Sequence, residues 1–193
     1  MPNEVVKERL IAAATSLLSL TEDPASITVR QIANKAQANQ AMINYYYGSK
    51  NDLIQQAIHR LLQDTMQSWQ NMTDLSLPPR QKLEQMLLTL SDLMVQYGSF
   101  AKASIRHELT KGEIVTPVYI LPVLKEIFAD SKAEKELKIM AYQIISFMQL
   151  IFLRAEGFLK YTGADIADRA VRHEMIQMQL EWFLGGGGNE HKL

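Results

Sequence analysis

Cysteine is absent from the 193 residues, which excludes disulfides, thiolate nucleophiles and Cys-ligated zinc or iron–sulfur centres. Charge of one sign is missing as well. Twenty Lys and Arg against 21 Asp and Glu leave a formal net charge of -1, so bulk charge announces no polyanionic partner. Long hydrophobic runs are lacking: the longest nearly apolar stretch, 144–153, is interrupted by Ser146 and Gln149 and is too short to span a bilayer. The Met1-Pro2-Asn3-Glu4 start carries neither a basic n-region nor an apolar h-region, so a cytoplasmic protein is expected. Catalytic signatures are equally scarce. The sequence contains no glycine-rich phosphate loop, no Gly-x-Ser-x-Gly elbow and no His-Glu-x-x-His. His59, His107, His173 and His191 lie far apart without paired ligand spacing. No enzyme activity, metal or cofactor is expected.

What is present is helical periodicity. Between sparse Gly and Pro, apolar residues recur at spacings of three and four, which predicts an all-α chain. A first helix carries Val6, Leu10, Ala14, Leu17 and Leu18 on one stripe and ends before Glu22-Asp23-Pro24. Thr28-Val29-Arg30-Gln31 fits a capping box and opens a short helix to about Ala36. Asn39 is a good N-cap for another short helix to about Tyr47, and Ser49-Lys50-Asn51-Asp52 is a second box-like start opening a long helix towards Asn71. Further helices are expected over 80–97, 100–111, 117–129 with a bend at Pro122, 132–161 and 164–184. The domain boundary falls inside the long helix, near 52–62. Residues 1–51 form the N-terminal domain, 52–184 the C-terminal one, and 185–193, with its Gly run, a flexible tail.

The run 27–50 reads short helix, turn, short helix, new cap, with Ile32, Ala33, Ala36, Ala38 and Ile43 at the close-packing positions. That is a helix-turn-helix pattern, although an ordinary helical hairpin in a bundle shows the same spacing. Three features favour the first. Tyr45, Tyr46 and Tyr47 are consecutive, and helix neighbours lie about 100° apart, so at least one must face outward. Ser49-Lys50 puts a cation beside free N–H groups at a helix start, a combination suited to phosphate. Arg30 lies early in the preceding helix, where it can reach a phosphate or guanine.

Thr28-Val29-Arg30-Gln31-Ile32-Ala33, then Ile43-Asn44-Tyr45-Tyr46-Tyr47-Gly48-Ser49-Lys50 and an apolar helix beginning Leu53-Ile54, resembles the TetR family of bacterial one-component transcriptional regulators over about the first sixty residues. The resemblance implies a three-helix DNA-binding domain followed by a helical domain for effector binding and dimerisation. It implies a repressor that binds a palindromic operator as a homodimer and is released by a small-molecule effector. Carried over by position, Arg30, Gln40, Ala41, Met42, Asn44 and Tyr45 match base-reading positions, while Thr28, Tyr46 and Lys50 match phosphate-contacting ones. The chain departs from the family pattern at Gln37, where Gly is common, at Asn44, where an aromatic is frequent, and at Tyr46, where His is frequent. Gln37 implies either backbone strain or a turn that avoids the left-handed region, and Asn44 suits adenine.

The C-terminal part is rich in Met and aromatics, including Met66, Trp69 and Met72, which fill a core or line an adaptable pocket. By the family's architecture the pocket lies among the middle helices, with Met94, Tyr97, Phe100, His107, Tyr119, Tyr142 and Phe147 as lining candidates. Arg106-His107-Glu108 either clamps a polar effector or forms a solvated or internally paired patch. Phe147, Ile151, Met175, Met178 and Trp182 belong to broad apolar faces on the last two long helices, which the resemblance assigns to a dimer interface. The alternative function is a helical small-molecule-binding protein without specific DNA binding.

Overall fold

Helix caps and glycine breaks divide the chain much as the sequence pattern suggests. The computed structural model describes residues 2–21, 23–71, 77–110, 114–129 and 131–185, without the side chains of residues 2, 3, 66–71, 99 and 107. Glu22, Met72, residues 186–193 of the expected tail, and the side chains of Met66, Trp69 and His107 therefore lie outside the described residues. Among the described residues the regular structure is wholly helical: α1 (Pro2–Leu18), a 3-10 turn (Pro24–Ser26), α2 (Val29–Ala36), α3 (Ala41–Tyr47), α4 (Lys50–Asn71), α5 (Pro79–Thr110), α6 (Thr116–Phe128), α7 (Glu134–Leu153), α8 (Ala155–Thr162) and α9 (Arg169–Leu184). Backbone contacts gather these into two compact units, one of Met1–Gln67 with Gln96–Ser104, the other of Ser68–Val95 with Ile105–Leu193.

In the first unit α1 packs on α2 and α3. Leu10, Ala14 and Leu18 from α1 meet a core that also holds Ile32, Ala33 and Ala36 of α2, Ile43 of α3 and Leu53, Ile54, Ala57 and Ile58 of α4, all buried. The small residues let short helices approach closely, and burying each Leu or Ile is worth about 1.5–3 kcal/mol. Backbone dihedrals inside α5 are non-helical at Gly98, where φ is 44° and ψ is -111°. That conformation is open to glycine and strained for other residues, and it divides α5 at Gly98, between the two helical segments expected over 80–97 and 100–111.

In the second unit α6 packs along α7. Pro122 sits inside α6. The segment expected as one helix over 132–161 is two: the chain leaves helical geometry at Arg154 (φ -115°, ψ 29°), and α8, which follows, buries none of its residues. The last helix begins at Arg169 rather than near residue 164. Asp165 Oδ1 accepts from the Ala167 N–H, Asp168 Oδ1 caps the Ala170 N–H, and the carbonyls of Ile166 and Ala167 are drawn off by the buried Arg172 guanidinium at 2.8 and 2.9 Å. By length and composition α7 is apolar enough to cross a membrane. Its Leu137, Ala141, Ile144, Ile145, Met148 and Phe152 are instead buried within this unit.

Candidate functional site

The helices of the helix-turn-helix are opened by side-chain caps and closed by backbone bonds. At the start of α2 the Thr28 N–H donates to Gln31 Oε1 at 2.8 Å and the Gln31 N–H donates to Thr28 Oγ1 at 3.2 Å, a complete capping box. The helix ends in a Schellman closure, with Ala38 N–H to Ala33 O at 2.9 Å and Gln37 N–H to Asn34 O at 3.1 Å. Gln37 takes the left-handed position (φ 50°, ψ 47°), so the turn keeps the conformation that usually falls to glycine. Asn39 Oδ1 then accepts from the Ala41 N–H at 2.9 Å and starts α3.

Helix α3 has one anchored and one open face. Ile43 is fully buried and Tyr47 nearly so, with its hydroxyl donating to Lys7 O at 2.7 Å. Burial pushes the Tyr47 phenol up to about 12, with the Glu8 charge adding to the rise and Arg60 opposing it. Arg60 and Glu8 pair at 2.7 Å and tie α4 to α1. On the open face Gln40, Ala41, Asn44 and Tyr45 are exposed, and Met42 and Tyr46 are half-buried. Tyr45 is 71% exposed and meets the Tyr46 ring edge to face, with centroids 4.9 Å apart. The three tyrosines thus divide as helical geometry demands. Thr28 and Arg30, at the start of α2, are also exposed.

The start of α4 is more occupied than its sequence suggests. Ser49 Oγ donates to Asp52 Oδ2 at 2.6 Å while the Asp52 N–H donates back to Ser49 Oγ at 3.1 Å. The Lys50 ammonium donates to two backbone carbonyls, Ala25 O at 3.1 Å and Ile27 O at 2.9 Å. The helix start therefore already holds a carboxylate, and the cation beside it already has two partners.

In the second unit the Arg106-His107-Glu108 cluster resolves into an internal pairing of Glu108, with Arg106 exposed. Glu108 Oε1 accepts from the Val115 and Thr116 N–H groups at 3.2 and 2.9 Å, and Oε2 accepts from Thr116 Oγ1 and Gln149 Nε2, both at 2.8 Å. One carboxylate of α5 thereby caps α6 and holds α7. Of the pocket candidates in this unit, Met94 is buried and Tyr119 half-buried, whereas Tyr142 and Phe147 lie on the arc that α7 leaves uncovered with Ile139 and Leu150. Tyr97 and Phe100 belong to the first unit. Tyr97 is buried, which raises its phenol above the usual range. Phe147, Ile151 and Met175 come together around a largely apolar pocket whose lining also includes Arg172 and Gln179, while Met178 and Trp182 stand exposed on α9, Trp182 at 70%.

No family model matches this sequence, and no curated protein sequence matches it. Solved structures do. Over 96% of this chain and 97% of the other, the structure is similar to that of FadR from Thermus thermophilus, a TetR-family transcriptional repressor in complex with lauroyl-CoA, with a TM-score of 0.61 and 18% sequence identity. The fold is TetR-like. A TetR-like transcriptional regulator from Rhodococcus sp. RHA1 is similar over 94% of this chain and 97% of its own, with a TM-score of 0.49 and 15% identity.

Within this TetR-like fold, sequence reasoning missed the polar residues that order the second unit. Thr116 and Gln149 meet Glu108 from 8 and 41 positions away. Arg172, 6% exposed, gathers Ser91, Asp92, Ile166 and Ala167. Asp92 also pairs with Arg169, and Glu84 meets His173 and Gln177. A clamp of α5 on α9 results. Its signal in the sequence is Arg169, Arg172 and His173 close together at the start of the last helix, which does not identify partners some 80 positions away. Among the described residues no group of three His, Asp or Glu is placed to hold a metal ion.

Proposed function

We propose that the chain is a sequence-specific DNA-binding transcriptional regulator, a repressor that binds a palindromic operator as a homodimer and is released by a small-molecule effector. The observation that carries this reading is the two-faced α3: Ile43 and Tyr47 fix it in the core while Gln40, Ala41, Asn44 and Tyr45 stand outward on one short helix in a TetR-like fold. Such a helix presents amide and phenol groups to base edges in a major groove. Arg30, Gln40, Ala41, Met42, Asn44 and Tyr45 are the base-side residues, with Asn44 suited to adenine N6 and N7. Thr28 and Tyr46 lie on the phosphate side, and Lys50 stands at the start of α4 with its ammonium on the Ala25 and Ile27 carbonyls.

The uncovered apolar arcs support dimerisation through α7 and α9, with Phe147, Met178 and Trp182 exposed and Ile151 and Met175 beside them. The second unit, with its Met-rich core, is where an effector would bind. That FadR, a protein of the same fold, is in complex with lauroyl-CoA supports a small-molecule effector. For the effector to release DNA it must bind the low-affinity state more tightly, and the coupling must be reciprocal.

The test is selection of bound fragments from genomic DNA of the source organism at two salt concentrations. Enrichment of a palindrome with half-sites roughly 34–36 Å apart, or a multiple of that, supports the proposal. Sequence-blind retention that vanishes with salt refutes it.

A further inference from the structure

We infer that Lys50 is a positioning residue that braces the entry of α2 against the start of α4, and that this bracing, rather than neutralisation of a phosphate, is how it contributes to DNA reading. The inference rests on the proposed function for its DNA part and on geometry alone for the brace. The Lys50 ammonium has three N–H donors, and two are spent on Ala25 O at 3.1 Å and Ile27 O at 2.9 Å.

Those carbonyls lie on a short segment whose other hydrogen bonds among the described residues are all local, within residues 21–28 and the Gln31 cap. Ala25 is in the 3-10 turn, whose Ser26 and Ile27 N–H groups return to Asp23 and Pro24 carbonyls. Ile27 is buried and immediately precedes Thr28, the cap of α2. Across the motif, Lys50 is the first residue of α4, two positions after the Gly48 that ends α3. The cation thus links the start of α2, where Thr28 and Arg30 are exposed, to the exit of α3, where Asn44 and Tyr45 are exposed. A charge-assisted hydrogen bond is about twice as strong as a neutral one, and two of them converging on one ammonium tie the segment before α2 to the start of α4. Ser49 does not compete for the site, because its hydroxyl is paired with Asp52.

The experiment uses the full chain and compares it with Lys50→Met, which keeps the aliphatic stem and removes the donors. Three quantities are read: amide hydrogen exchange over residues 25–31, the salt dependence of binding to a pool of random-sequence 40-base-pair duplexes, and the base preference within the selected pool. The brace predicts exchange over 25–31 faster by about tenfold or more, with the Ile43 and Tyr47 amides unchanged. It also predicts flattened base preference, which a purely stabilising contact would not produce, and a salt slope within about half a unit of the parent.

Unchanged exchange with a slope shallower by about 1 per protomer would make Lys50 a plain phosphate contact and overturn the inference. If the substituted chain does not fold, scalar couplings from Lys50 Nζ to the Ala25 and Ile27 carbonyl carbons in the parent decide the matter, and their absence refutes the brace. Failure of the parent to bind any duplex would remove the DNA reading while leaving the exchange and coupling results to judge the brace.

Discussion

Replacing Gln37 by Gly should stabilise the protein, and the size of the gain follows from two opposing terms. Gln37 holds φ 50° and ψ 47°, and an L-residue in that region costs about 1–2 kcal/mol because Cβ crowds the following carbonyl. Glycine removes the crowding but loses about 0.5–1 kcal/mol in extra unfolded-state entropy. The net expectation is a gain of about 0.5–1 kcal/mol. Nothing offsets it, since the side chain is exposed and makes no hydrogen bond among the described residues, while the Schellman bonds use only backbone groups. Urea unfolding followed by helical circular dichroism is the assay. With a slope of about 1.5–2 kcal/mol/M, the midpoint should rise by roughly 0.3–0.6 M at unchanged slope. Gln37→Ala is the control: it keeps the strain and removes the amide, so its midpoint should stay within about 0.2 M of the parent. A Gly variant no more stable than the parent, or an Ala variant clearly less stable, would show that the side chain contributes something and that the strain argument is wrong.

Three other substitutions have expected outcomes. Tyr47→Phe removes the bond to Lys7 O and should cost about 0.5–1.5 kcal/mol in a urea titration at neutral pH. The phenol also makes stability pH-dependent: its folded pKa is raised from the usual tyrosine value of 10.0 to about 12, so the linked stability is complete below about pH 10 and declines between 10 and 12. Across that window the Phe variant should lose less stability than the parent, and equal losses would refute the assignment. Glu108→Ala takes the acceptor from the Val115 and Thr116 N–H groups, the Thr116 hydroxyl and the buried Gln149 amide. It should cost about 2–4 kcal/mol, and a loss under about 0.5 kcal/mol would show that these donors find water. Arg172→Met strands the Ile166 and Ala167 carbonyls and removes one of the two partners of Asp92, leaving Arg169. A similar loss of about 2–4 kcal/mol is expected in the same titration, with amide exchange rising first over residues 164–172.

Local chemistry was legible in the sequence, and tertiary chemistry was not. The Thr28–Gln31 and Ser49–Asp52 caps are each complete within four residues, so reading them required no knowledge of the fold. The division of the three tyrosines followed from helical geometry in the same way. The 132–161 helix misled because apolar spacing continues through Phe158, Leu159 and Tyr161 although α8 buries nothing. Periodicity records a face, not whether anything covers it. The start of α9 was misplaced because Arg172, several residues later, recruits the carbonyls that an earlier helix start would have used. Gln37 lay between these cases: the turn was recognisable, but the choice between strain and an alternative turn depended on Ala33 and Asn34 accepting the closing bonds.

The cap chemistry that makes a helix start attractive to phosphate also lets the protein satisfy that start itself. At α4 the Ser49–Asp52 pair occupies the place a phosphate oxygen would take, and at α2 the Thr28–Gln31 box does the same. Of the nine residues assigned to DNA only Arg30 and Lys50 are charged, and Lys50 is spent largely on carbonyls. Elsewhere in the unit, Arg60 is paired with Glu8. The nine assigned residues therefore bring few cations to the phosphate backbone, and discrimination should come from the neutral amides and phenols of α3. Each phosphate neutralised contributes about -0.9 to the slope of log K against log salt, so a dimer using one or two cations per protomer should show a slope of roughly -2 to -4. Titrating the selected operator between about 50 and 200 mM salt measures it directly. A slope steeper than about -6 would mean that cations outside this set carry the contact, and that the open face of α3 is not where most of the binding energy arises.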